Sequence, residues 1–86
     1  MFRIVSKAVL ADKIKEFVVE APLIARTAKP GNFVLVRGDE QGERIPLTIA
    51  DSDAKAGTIT LVMQEIGVGT LKLGAFEAGQ SYNDVV

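Results

Sequence analysis

Apolar and polar positions alternate at the start of this chain with the two-residue period of a half-buried strand, and the apolar runs that follow are short and bounded by turn clusters, with no long amphipathic helix among them. Phe2 to Leu10 reads as a first strand, with Phe2, Ile4, Ala8 and Leu10 on one side and Arg3 and Lys7 on the other. The polar turn Ala11-Asp12-Lys13 leads into a second strand ending near Glu20, where Ile14, Phe17, Val18 and Val19 favour β-structure. These two strands should pair as a hairpin. Pro22 ends the second, and residues 21–28 read as an irregular or single-turn segment before Lys29-Pro30-Gly31-Asn32, a strong turn signal. A third strand covers Phe33 to Arg37, and the polar stretch Gly38 to Glu43 is an exposed connection to a fourth, Arg44 to Ala50. After the turn cluster Asp51 to Gly57, Thr58 to Gln64 has the highest β-propensity in the chain. Ile66-Gly67-Val68-Gly69-Thr70 then opens a short helix through Leu71-Lys72-Leu73 that ends near Gly74. Past the turn Glu77 to Gln80, a last strand runs from Ser81 to Val86.

Six short strands divided by turn clusters, without a long amphipathic helix or a repeat of fixed period, predict an all-β domain. A six-stranded antiparallel Greek-key barrel with one short helix is the expected architecture, because closure removes sheet edges that so small a domain could not otherwise cover. At 86 residues, there is material for one domain with a single core.

Composition narrows the chemistry. Ten basic and eleven acidic residues leave a net charge of −1, so the electrostatic footprint of a nucleic-acid partner is missing. The chain has neither cysteine nor histidine, which removes disulfides, thiolate or iron–sulfur ligation and the commonest general base. Redox or acid–base chemistry here must be carried by a bound group. The alternating first residues do not resemble a signal peptide, and no stretch approaches the ~20 apolar residues of a membrane span, so no membrane association and a cytoplasmic location are expected.

Two segments could hold a ligand. In Glu43-Arg44-Ile45-Pro46-Leu47-Thr48-Ile49, Pro46 cannot donate to a β-ladder, Arg44 is a fixed cation suited to a pyrophosphate, and Thr48 adds a hydroxyl. In Gln64-Glu65-Ile66-Gly67-Val68-Gly69-Thr70-Leu71, the glycines let a ligand approach the backbone, and Thr70 is a candidate N-cap for a helix whose free N–H groups attract phosphate. Taken singly, an arginine before a strand is more often a solvated residue, and Gly-x-Gly-Thr is more often only a turn.

In this order, and over essentially the whole chain, these residues resemble the flavin domain of the ferredoxin–NAD(P) reductase superfamily. The likeness is nearest to the small flavoprotein subunits of NADH-dependent ferredoxin–NADP oxidoreductase and sulfide dehydrogenase, and extends to the electron-transfer subunit of dihydroorotate dehydrogenase. It rests on Pro30 to Val36 preceding Glu43 to Ile49, and on Leu61 to Gln64 followed by Gly67-Val68-Gly69-Thr70. The resemblance implies FAD as cofactor, with Arg44 facing its pyrophosphate and Ile45, Pro46, Leu47 and Thr48 along the isoalloxazine and ribityl edge. Val62, Met63 and Gln64 would flank the ribityl chain, with Gly69 and Thr70 on phosphate. The plant-type pattern places its arginine three residues before the hydroxyl residue, whereas Arg44 stands four before Thr48, and Leu47 replaces a tyrosine that stacks on the flavin.

Relatives continue into a nucleotide-binding domain, but residues 1–86 contain no Gly-x-Gly-x-x-Gly fingerprint. The chain therefore reads as a truncated or excised FAD-binding barrel, inactive alone, of an oxidoreductase passing electrons between NAD(P)H and ferredoxin or another acceptor. A nicotinamide-binding domain and an iron–sulfur or flavoprotein subunit would be its partners. Apolar surface near Val85 and Val86 would favour a homodimer. The alternative is a non-catalytic barrel adaptor that binds no flavin. An oligonucleotide-binding barrel ranks last, for want of a basic groove.

Overall fold

The computed structural model describes residues 1–86. Seven strands and two short helices follow one another as β1 (Phe2–Ala11), β2 (Ile14–Glu20), α1 (Pro22–Ala25), β3 (Phe33–Arg37), β4 (Ile45–Asp53), β5 (Thr58–Gln64), α2 (Val68–Gly74), β6 (Ser81–Tyr82) and β7 (Asp84–Val85). All pairings are antiparallel, in the order β6-β1-β2-β5-β4-β3-β7. The β3–β4–β5 meander with β2 lying beside β5 is a Greek key. Because β6 and β7 are separated only by Asn83, the two edges of the sheet nearly meet and the barrel is almost closed.

The expected last strand is thus two strands, and six becomes seven. Asn83 breaks it, donating its N–H to the carbonyls of Arg37 at 2.9 Å and Gly38 at 3.2 Å. One half of the segment pairs with β1 and the other with β3.

Strand alternation builds the core. Ile59, Leu61 and Met63 of β5, Leu47 and Ile49 of β4, Val34 and Val36 of β3, and Phe17 and Val19 of β2 are all buried. Burying each such side chain contributes about 1.5–3 kcal/mol. The expected alternation of β1 holds only at its start. The register runs Ile4↔Val19 and then Ser6↔Val18, so Val5 forms a β-bulge that reverses inward and outward positions. Ala8 and Leu10 are consequently exposed, and Lys7 lies over the Phe17 ring, 5.6 Å from its centroid.

Four turns carry left-handed backbone, at Lys13, Gly31, Gly57 and Gly79. Gly57 (φ 71°) closes the β4–β5 turn, where Asp53 Oδ1 accepts the N–H groups of Lys55 and Ala56 at 3.0 Å each. Lys13 (φ 63°) closes the β1–β2 hairpin.

Candidate functional site

The β4–β5 ladder is incomplete. Its pairs run from Ile49↔Leu61 to Asp53↔Thr58 and do not continue between residues 45–48 and 62–64, although these segments stay paired with β3 and β2 respectively. The Ile49 N–H donates to the Asn32 carbonyl at 2.7 Å, and the Gly31 N–H donates to the Ile49 carbonyl at 3.1 Å, so the backbone groups of Ile49 face β3. By alternation, those of Pro46 and Thr48 face the opening towards β5. Pro46 has no N–H to leave unsatisfied there.

Along this opening, the Pro46 and Thr48 side chains point outward and are exposed, Ile45 and Val62 are half-buried, and Gln64 is exposed. Leu47 and Met63 are core residues. By the same alternation the backbone of Leu47 faces β3, and that of Met63, in phase with Glu65 whose N–H donates to the Lys13 carbonyl, faces β2, so neither residue offers the opening a side chain or a backbone group. The aromatic residue in register with the opening is Phe33, paired with Thr48 and 67% exposed. Sequence reasoning passed over Phe33 because it reads simply as the first apolar residue of β3.

Helix α2 lies against the start of β4. A side chain at Gly69 would overlap the Ile45 side chain, so glycine at this position lets helix and strand touch. A cavity of about 240 Å³ opens beside that contact, with Ile45, Gly69, Leu73 and Phe76 among its walls and Asp39, Glu43 and Lys72 at its polar margin. Contrary to expectation, the N-cap is Gly67, and Thr70 stands third in the helix. The Thr70 hydroxyl accepts from the Ile66 N–H at 3.0 Å and the Gly67 N–H at 3.1 Å, and donates to the Gly67 carbonyl at 3.2 Å. It is committed to folding its own turn. The first helical bond is Leu71 N–H to Gly67 O at 2.9 Å, which leaves the N–H groups of Val68, Gly69 and Thr70 without an acceptor in the chain.

No protein-family model matches the chain. Over all 86 residues it is 50% identical to a Clostridium beijerinckii protein described as an uncharacterized protein in the adh 3′ region. Over 83 residues, 96% of its length, it is 37% identical to the dihydroorotate dehydrogenase B (NAD(+)) electron transfer subunit homolog of Thermotoga maritima. The whole chain superposes with a TM-score of 0.95, at 36% identity, on the NADH-dependent reduced ferredoxin–NADP oxidoreductase, an enzyme solved for its flavin-based electron bifurcation. The chain is a ferredoxin reductase-like domain. It spans only 29% of the length of each of those two relatives and 31% of the solved chain.

In this ferredoxin reductase-like domain, Arg44 is ion-paired. Its Nη2 donates to Asp84 Oδ2 at 2.8 Å, and Arg37 Nη2 lies 3.9 Å from the same oxygen. Arg37 Nε is buried with no partner. Two guanidinium groups thus share one carboxylate at the mouth of β3, β4 and β7. Neither Arg37 nor Asp84 was anticipated, since only the β3–β7 pairing brings them together. The C-terminal apolar residues also divide: Val85 is in the core, contrary to expectation, whereas Val86 is exposed beside Leu23 and Phe33 on a broad groove of about 620 Å³. No helix is long and apolar enough to cross a membrane.

Proposed function

We propose that this domain is the FAD-binding barrel of an oxidoreductase subunit, passing electrons between NAD(P)H and ferredoxin or another acceptor. The observation that carries this reading is the full-length match, at a TM-score of 0.95 and 36% identity, to part of an enzyme of flavin-based electron bifurcation. The chain's own geometry fits such a cofactor. The opening between β4 and β5 offers backbone groups of Pro46 and Thr48, with Phe33 as an apolar edge. The free N–H groups of Val68, Gly69 and Thr70 suit a pyrophosphate, and Arg44 would reach one by releasing Asp84. FAD supplies the electron chemistry when bound. Val62 and Gln64 would contribute backbone groups and their outward side chains, whereas Met63 backs the site from the core.

In this reading, residues 1–86 form the flavin domain, while a nicotinamide-binding domain and an iron–sulfur or flavoprotein subunit are its partners in the cytoplasm. With part of the flavin uncovered, the chain by itself should hold FAD weakly. Calorimetric titration with FAD, of the chain and of a version extended to the length of its relatives, tests both statements. Binding by the longer protein and weaker binding by the chain is expected, and no binding by either would favour the adaptor reading. Equal, tight binding by both would show that the barrel alone forms the site.

A further inference from the structure

Glu65 is the one charged residue in the buried set, and it sits between β5 and the turn that starts α2. Its carboxylate accepts from Lys15 Nζ on β2 at 2.9 Å. The same carboxylate fills the place that a side chain at Gly74 would occupy, at the far end of α2. Its own N–H donates to the Lys13 carbonyl at 2.7 Å. The next two N–H groups, of Ile66 and Gly67, go to Thr70. Glu65 therefore holds α2 at both ends, by the chain that leads into it and by the carboxylate wedged against its last residue.

Stability alone is a weak reason for a carboxylate here, because an apolar side chain of the same length would fill the space without desolvating a charge. What the ion pair adds is direction: it fixes the carboxylate to β2 and so fixes where Gly74 can rest. We propose that Glu65, anchored by Lys15, is a positioning residue that sets α2 against β4 and so shapes the cofactor cleft. This rests on the flavin reading for its functional consequence, but not for its structural one.

The test compares Glu65→Met, which keeps volume and loses the ion pair, with Glu65→Gln, which keeps an acceptor for Lys15. Three measurements are made on each variant in the extended protein: thermal unfolding, titration with FAD and with riboflavin, and amide exchange at Leu71 and Ala75, whose N–H groups report α2. We expect Glu65→Met, which leaves Lys15 without its partner, to unfold at a lower temperature, to exchange the two α2 amides faster by a larger factor than those of β5, and to bind FAD roughly tenfold more weakly. Riboflavin, which lacks the pyrophosphate, should bind as to wild type, and Glu65→Gln should restore most of the FAD affinity. Unchanged α2 exchange in Glu65→Met would overturn the proposal whether or not FAD binds. So would FAD affinity equal to that of a wild-type protein that binds FAD. Absence of FAD binding by wild type would instead sink the flavin reading, leaving the exchange result to judge Glu65.

Discussion

Tyr82 ties the barrel wall to α2, and its removal has a pH signature that can be worked out in advance. The side chain is fully buried, its ring 5.8 Å from Phe17 and 4.9 Å from Phe76 by centroid, and its hydroxyl donates to the Leu73 carbonyl at 2.9 Å. Tyr82→Phe keeps the ring and removes that bond. The Leu73 carbonyl retains the Phe76 N–H at 3.3 Å, so it is not orphaned, and the cost at neutral pH should be about 1 kcal/mol. Burial pushes the phenol well above its ordinary value of 10.0. Above that value, the unfolded chain loses the phenolic proton while the native state keeps it, so stability falls as pH rises, by about 1.4 kcal/mol per pH unit. The phenylalanine variant has no such loss. The two stability curves should therefore converge above about pH 10 and cross near about pH 11, where the wild type has lost as much as the hydrogen bond was worth.

Urea unfolding of both proteins across this range measures the difference directly, and titrating lysines cancel between them. With one tyrosine and no tryptophan, phenolate absorbance reports this group alone. A difference that stays constant from neutral to alkaline pH, or a native phenol titrating near its ordinary value, would refute the argument.

Thr70→Val removes the acceptor for the Ile66 and Gly67 N–H groups and should cost about 1–2 kcal/mol by urea unfolding, with Thr70→Ser near wild type. A valine variant of equal stability would count against the role given to the hydroxyl. Arg44→Ala breaks an exposed ion pair, so stability should change by less than about 1 kcal/mol, while FAD affinity of the extended protein falls. Unchanged affinity would remove Arg44 from the site. Lys13→Gly relieves a left-handed residue and should raise stability by up to about 1 kcal/mol in thermal or urea unfolding, and a clear loss would mean that its side chain contributes more than its backbone costs.

β2, β3 and β5 were legible with their boundaries intact because each is a short run rich in β-branched and aromatic or other apolar residues, bounded on both sides by turn residues. β1 was legible as a strand but not in its facing, since Val5 carries no mark that it is a bulge and a one-residue slip exchanges the two faces. The seventh strand was hidden because the break at Asn83 depends on carbonyls of Arg37 and Gly38, distant in sequence. The same limit divides the site. Gly69 and Thr70 announce a helix start through their residue types, although the exact cap follows from backbone angles that no residue type dictates. Glu65 with Lys15, and Arg44 with Asp84, lie 50 and 40 residues apart, and only the order of strands makes them partners. Pro46, Thr48, Gln64 and Phe33 on the outer wall have the composition of any solvated strand face. What distinguishes them is that β4 and β5 part company beneath them, a property of the ladder and not of the residues.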